Sequence, residues 1–324
     1  MSDESPPPLI SVIIVNYNGK KFLSNCLDSI FRQTYFPFEV IMVDNASHDG
    51  SIEYVQQNFP DVKLFTQSTN LGFAGGTNAG IRQANGEFIL TLNNDTIVNP
   101  DFIDELAKAM FSDPSVGMCA SKMIFPDGRI NSTGICISRS GAAWDRGMGE
   151  PDQGHYDVAE EVFGPCAGAA LYRHTMLDEI GRFDEDFFLY MEDVDLAFRA
   201  RLSGWRCMYV PTAQVIHVHG GTTEPGSDSS VYYGNRNLMW YVVKNFPSRA
   251  LILFIPWIIG RNIAVIPYYF LKSKGKAIIE AKVDSVKGLP RMIKKRQSIK
   301  KCISDGAIEK WIQVWSHAKV QKIK

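Results

Sequence analysis

Leu9-Ile10-Ser11-Val12-Ile13-Ile14-Val15-Asn16-Tyr17-Asn18 decides the fold of this chain. The run to Val15 is apolar and β-branched, as in a strand buried on both faces, and it stops abruptly at a polar turn. Lys20 to Gln33 follows, with Phe22, Leu23, Cys26, Leu27, Ile30 and Phe31 at helical spacing. Val40 to Val43 reads as a second buried strand, Ile52 to Asn58 as a helix and Val62 to Phe65 as a third strand. Gly75 to Ala84 reads as a helix and Phe88 to Leu92 as a fourth strand. This alternation predicts an α/β fold, a Rossmann-like, mostly parallel mixed sheet with flanking helices. Ligands of such sheets sit beyond the carboxyl ends of the strands. Asn16-Tyr17-Asn18, Asp44-Asn45 and Asn93-Asn94-Asp95 each follow a strand directly, so all three polar clusters fall on one edge.

The 324 residues suffice for one large domain or two ordinary ones, and 45% hydrophobic against 21% charged describes a globular chain with a substantial core. The net charge of −1 hides an asymmetry. Lys272 to Lys324 holds 15 Lys/Arg against 4 Asp/Glu, leaving the remainder at −12. A basic tail on an acidic body suits an anionic partner or is a solvated helical face. The six cysteines form no C-x-x-C pair, which argues against a zinc knuckle or redox motif and for a reducing, cytosolic compartment. Residues 1–8 are acidic and proline-rich, which predicts disorder and no signal peptide.

Phe187-Phe188-Leu189-Tyr190-Met191-Glu192-Asp193-Val194-Asp195 places three carboxylates within four residues after an aromatic run. Apolar surroundings penalise charge, so these acids need a partner or a task. One reading makes Asp193 the cap of a helix starting at Val194, with Asp195 paired to Arg199. The other makes Asp193 a general base for a sugar hydroxyl, and a capped turn would hold it rigid. Asp95 suits a hard oxygen ligand to a diphosphate-bound cation, or an Asx turn. Asp44, at a strand end, can hydrogen-bond a base or ribose, while Ser47 or Asp49 would cap the next helix. Asn70 to Asn78 is glycine-rich before a helix, where backbone N–H groups could approach a diphosphate. Neither G-x-G-x-x-G nor G-K-[ST] occurs, so a dinucleotide fingerprint and a P-loop are unsupported. His217 and His219 share one strand face, and one neutral imidazole could complete a metal shell.

Leu251 to Leu271 is the most hydrophobic segment, near the ~20 residues a spanning helix needs. Arg261 would sit at mid-membrane, and Pro256 and Pro267 interrupt the run. Helices lying in the membrane interface are expected, with a buried helical pair or an oligomer interface as the plain alternative.

Together these residues resemble the family 2 glycosyltransferases, inverting enzymes of the GT-A fold. The match runs from about Leu9 to Asn245, through Val12–Asn18, Val43–Ser47, Asn70–Phe73, Leu92–Thr96, Phe188–Leu196, His217 and Gly234–Asn237, in the family's order. The resemblance implies a GT-A domain over residues 9–245 and a helical, membrane-associating region over 246–324. It implies a nucleoside site at Asn16, Tyr17, Asn18, Asp44, Asn45, Gly72, Asn78 and Asn94. It makes Asp95 and His217 ligands of Mg2+ or Mn2+, Asp193 the catalytic base, and Glu192 and Asp195 shapers of its surroundings. Gly168 and Ala169 would lie on the acceptor side. Asn93 stands where a full D-x-D has its first acid, leaving one carboxylate ligand.

The Leu-Asn-Asn-Asp-Thr and Tyr-Met-Glu-Asp-Val-Asp-Leu forms look like the bacterial rhamnosyltransferase-like branch. That implies a dTDP-rhamnose or UDP-hexose donor and a lipid-linked or glycan acceptor of the cell envelope. It also implies an enzyme peripherally held, through residues 251–324, on the cytoplasmic face of the membrane. No nucleic-acid module is present, and a homo-oligomer is left open. The rival reading is a decayed nucleotide-sugar or glycan-binding protein, motivated by the incomplete D-x-D.

Overall fold

The structure, a computed structural model, describes residues 6–218 and 226–313. Chain order begins β1 (Ile10–Asn16), α1 (Lys20–Phe31), β2 (Phe38–Asp44), α2 (Ser51–Asn58), β3 (Lys63–Thr66), α3 (Gly72–Ile81), β4 (Phe88–Asn93), β5 (Thr96–Val98) and α4 (Phe102–Ser112). It continues with β6 (Val116–Ile124), β7 (Ile130–Ser132), β8 (Ile135–Ser138), β9 (Ala143–Asp145), β10 (Glu160–Glu161), β11 (Ala169–Arg173), α5 (His174–Ile180) and α6 (Glu192–Leu202). The last elements are β12 (Arg206–His217), α7 (Asp228–Asn245), α8 (Ser248–Leu271), α9 (Gly275–Gln297), α10 (Asp305–Glu309) and β13 (Ile312–Gln313).

The main sheet runs β10-β12-β6-β11-β4-β1-β2-β3, with β5 on β12 and β7 on β6. β4, β1, β2 and β3 are mutually parallel, and β11 is inserted antiparallel between β4 and β6. The β-branched run reads as expected because β1 is central. Ile10, Val12 and Ile14 face a cluster with α1 and α4, while Ile13 faces one with α3, α5, α6 and α7. The register sets Asn16 beside Asp44, so the parallel strands end on one edge.

Two elements depart from expectation. Helix α3 begins at Gly72, three residues earlier than expected, so Gly72 joins Gly75 and Gly76 inside it. A Cβ on Gly76 would stand 2.7 Å from a Val15 methyl, and one on Gly80 would stand 2.5 Å from an Ile13 methyl. They let the helix press onto the sheet. The apolar run is one helix, α8, that continues through Pro256 and Pro267, both on its exposed side.

A small second sheet, β13-β8-β9, ties the C-terminal end to the middle of the chain. The basic tail is partly consumed inside the protein. Lys295 bonds Asp184 at 2.5 Å and Asp186 at 2.6 Å, and Arg291 meets Asp186 at 2.9 Å.

Candidate active site

A cleft of about 520 Å³ opens over the carboxyl ends of β1, β2 and β4, within the range of small-molecule sites. One wall carries Tyr17, Asn45, Gly72 and Asn94. Asn45 donates to the Gly72 carbonyl at 2.9 Å, and its own amide oxygen is buried without a hydrogen-bond partner. Asn94 donates to Asn16 Oδ1 at 2.7 Å.

Other expected residues lie behind or away from this wall. Asp44 is fully buried, accepting from Asn16 Nδ2 at 2.9 Å and Ser47 N at 2.8 Å. Asn16 and Asp44 thus brace the floor without reaching the cleft surface, because both sit within the strand register. Asn18 faces outward beside Lys20 and Lys21, its Oδ1 taken by the His48 N–H at 2.8 Å. Asn78 also lies away from this wall. Its amide clamps Phe183 O at 2.8 Å, Glu185 at 2.9 Å and the Phe183 N–H at 3.1 Å, across the far end of α3.

Asp95 and His217 are brought together by pairing of β5 with β12, which sets Thr96 opposite His217. His217 Nε2 stands 3.2 Å from Asp95 Oδ1 and 3.2 Å from Asn93 Nδ2. Asn131 Oδ1 lies 2.8 Å from Nδ1, which assigns the proton there and turns the Nε2 lone pair toward Asp95. The Asn93 amide and the Asp95 carboxylate both meet Nε2 here, and an imidazole nitrogen beside a carboxylate oxygen is a donor pair that suits a divalent cation. Two ligands at about 2.1 Å from an ion, at right angles, stand about 3 Å apart, so the pair fits two neighbouring corners of a Mg2+ or Mn2+ shell. No group of three His, Cys, Asp or Glu suited to a metal exists among the described residues, so Asp95 and His217 are the pair that would hold one here. His219 lies outside the described residues.

The carboxylate segment is built differently from a capped helix start. Helix α6 begins at Glu192, two residues earlier than expected, and Met191 precedes it at φ 69°. Phe188 (φ 64°) and Tyr190 (φ 66°) are also left-handed, which is costly for non-glycine residues. Asn237 on α7 holds this turn, donating to the carbonyls of Phe187, Leu189 and Tyr190, each at 2.8 Å. Arg236 adds bonds to Asp186 O at 3.0 Å and Phe187 O at 3.1 Å.

The outcome is that Glu192 and Asp193 face the cleft and Asp195 does not. Asp195 is fully buried on the opposite side, between Arg199 at 2.9 Å and Lys244 at 2.8 Å. Its place in the site is indirect, through the seating of α6. Asp193 accepts from Val194 N at 2.8 Å and from Ala167 N at 3.4 Å. Burial raises the Asp193 carboxyl above its ordinary range, against those N–H bonds. Burial, then the charge of Asp193, push Glu192 well above the usual carboxylate range. Gly168 lines the cleft with Cys166 and Ala167, whereas Ala169 is buried in β11 against Leu92.

The sequence reading missed Trp144, Asp145 and Asn131, which also line the cleft. Asp145 ends β9, and its carboxyl is pushed up to about 6 by burial, with Asp193 adding to the rise and His217 opposing it. Nothing local in the sequence marks these residues, since they arrive through the second sheet and β7.

The chain matches the model of glycosyl transferase family 2 over residues 11–181. It is 28% identical over 250 residues to an N-acetylglucosaminyl-diphospho-decaprenol L-rhamnosyltransferase of Mycobacterium tuberculosis, spanning 69% of this chain and 81% of that one. An uncharacterized glycosyltransferase, YwdF, of Bacillus subtilis is 30% identical over 64% of this chain and 73% of its own length. Among solved structures, the mannosyltransferase PcManGT of Pyrobaculum calidifontis, in complex with GDP-Man and Mn2+, overlays with TM-score 0.57 at 18% identity, covering 87% of this chain and 88% of that one. S. aureus TarS 1–349 overlays with TM-score 0.56 at 19% identity, covering 88% and 82%. These overlays show the GT-A fold. The chain is a glycosyltransferase and belongs to glycosyl transferase family 2.

Proposed function

We propose that this enzyme transfers a sugar, with inversion, from dTDP-rhamnose or a UDP-hexose to a hydroxyl of a lipid-linked bacterial cell-surface glycan. The observation that carries this reading is the half-buried Asp193 carboxylate facing the cleft that Asp95 and His217 also line. The rhamnosyl donor and lipid-linked acceptor are motivated by the mycobacterial relative.

Tyr17, Asn45, Gly72 and Asn94 would hold the nucleoside, with the unpartnered Asn45 oxygen accepting from the base. Asp95 and His217 would hold Mg2+ or Mn2+, which when bound offsets charge on the departing diphosphate. Asp193 takes the proton of the acceptor hydroxyl. That oxygen forms its bond to the anomeric carbon as the bond from carbon to the diphosphate oxygen breaks, and the nucleoside diphosphate leaves from the opposite face. The raised Asp193 carboxyl is a stronger base than a solvated aspartate. Glu192, held well above its usual range by burial and by the charge of Asp193, is harder to ionise, which lessens repulsion toward the donor.

The test is nucleotide release from a panel of dTDP- and UDP-sugars, with Mn2+ or EDTA and membrane lipid extract as acceptor. Metal-dependent release from one donor is expected. Asp193→Asn should abolish it and leave nucleotide affinity nearly unchanged. Loss of both together would overturn the base assignment, and nucleotide binding without release from any donor would favour a binding protein.

A further inference from the structure

Helix α8 is apolar around its whole circumference, yet only one side is covered. Leu251 and Phe254 pack on the main core, and Val265, Ile266 and Tyr269 pack against Ala277 and Ile278 of α9. The other side leaves Ile252, Trp257, Ile259, Ile263, Tyr268 and Leu271 exposed, Leu271 at 87%. Helix α9 continues this surface. Ile279, Val283, Val286 and Ile293 are exposed, and with Pro290 they recur at intervals of four, three, four and three, which is one stripe of a helix. Lys276, Lys287 and Lys294 border the stripe on one flank; Glu280 stands 4.0 Å from Lys276 and Asp284 3.1 Å from Lys287, so three lysines face two acids and the flank stays net positive. On the other flank Lys282 turns inward, donating to Asn262 of α8 at 2.6 Å. The uncovered faces of the two helices therefore adjoin, and an apolar patch on this scale is rare on a protein without a partner.

We propose that the α8–α9 hairpin is a docking surface that lies flat in the interface of an anionic phospholipid membrane and does not cross it. By length and composition alone α8 could cross, since 24 residues reach about 36 Å. Its packing excludes that. It is bound along one side to the core and to α9, from Leu251 to Tyr269, so spanning would carry the lysines of α9 into hydrocarbon. Arg261 lies midway along α8 as well.

Charge complementarity selects lipid as the occupant. A second copy docked on this face would bring the same lysines against one another, whereas anionic headgroups neutralise them. Trp257 and Tyr268 on the outer face suit headgroup depth. The stripe between the lysines is aliphatic and offers no base-stacking platform to nucleic acid.

The test uses the full chain and needs no donor or acceptor, so its failure is separable from failure of the transfer chemistry. Flotation with phosphatidylglycerol–phosphatidylcholine vesicles is compared with phosphatidylcholine alone. Binding to the anionic vesicles is expected, weakening with salt. Val286→Asp should lower it about tenfold or more, and Lys276→Gln/Lys287→Gln/Lys294→Gln on the order of 100-fold. Nucleotide affinity of both variants should match that of the parent, which controls for folding. Spin labels on Ile252→Cys, Ile259→Cys and Tyr268→Cys, in a Cys302→Ser background that removes the exposed native thiol, should report one shallow depth. A label at position 259 deeper than at 252 and 268 would overturn the flat orientation. Vesicle attachment lost on nuclease treatment, or a dimer split by Val286→Asp without vesicle binding, would overturn the lipid assignment.

Discussion

The side-chain amide of Asn237 donates to the carbonyl oxygen of Tyr190 over 2.8 Å, and so fixes a left-handed residue two positions before Glu192. The same nitrogen reaches Phe187 and Leu189, so one fully buried amide secures most of the strained turn. The strain persists because α7 supplies donors where the turn leaves carbonyls without helical partners. Asn237→Ala should lower kcat for transfer about 100-fold while the dissociation constant for nucleotide changes little, since the nucleoside wall belongs to other elements. Steady-state kinetics and nucleotide titration check this. An unchanged kcat in a folded variant would show that the turn orients itself.

Asp145 and Asp193 face one cleft, and each makes the other harder to ionise. The base works only as a carboxylate, and burial raises the Asp193 carboxyl, so kcat/KM should rise with pH through a limb that lies above the range of an ordinary aspartate. Asp145→Asn removes a negative neighbour, which lowers the Asp193 pKa. The acidic limb of the profile should therefore move to lower pH. A limb that stays in place would show that the two groups are not coupled.

The 2.8 Å contact from Asn131 to His217 Nδ1 fixes which ring nitrogen faces Asp95. Removing such a support behind a ligand histidine costs about 10- to 100-fold in metal affinity. Asn131→Ala should weaken Mn2+ binding by that amount, read by electron paramagnetic resonance titration of free Mn2+. Nucleotide affinity measured in EDTA should not change.

Gly72 begins α3 at φ +69°, and a Cβ there would stand 2.3 Å from the Phe188 carbonyl oxygen. That oxygen also accepts from Ala74 N at 3.2 Å, so it has no room to withdraw. Gly72→Ala should cost about 2 kcal/mol or more in stability, from overpacking and the left-handed backbone together. Thermal unfolding checks it, and a stable variant with normal activity would show that the Phe188 turn can shift.

The α/β fold was legible in the sequence because its cause is local. A β-branched run such as Leu9–Val15 and the helical spacing of Phe22 to Phe31 are short-range patterns, and parallel strands must deliver their polar ends to one edge. That reasoning put Asn45, Asn94 and Asp95 on the edge where the cleft lies, while Asp193 came from the cluster of acids after an aromatic run. The same logic did not show that Asp44, Asn16 and Asn78 bond their neighbours, because a strand-end or helix position does not say whether a polar side chain points at a ligand or at the protein.

Only tertiary structure decided the rest. Asp145 and Asn131 reach the cleft on strands far from its other residues in sequence, and Asn237 supports the strained turn from a helix nearly fifty residues downstream. The basic tail divides into lysines spent on Asp184 and Asp186 and lysines left on the surface. Such choices depend on which surfaces meet. Each is set by burial and hydrogen-bond satisfaction across elements far apart in sequence, and those leave no trace in local periodicity.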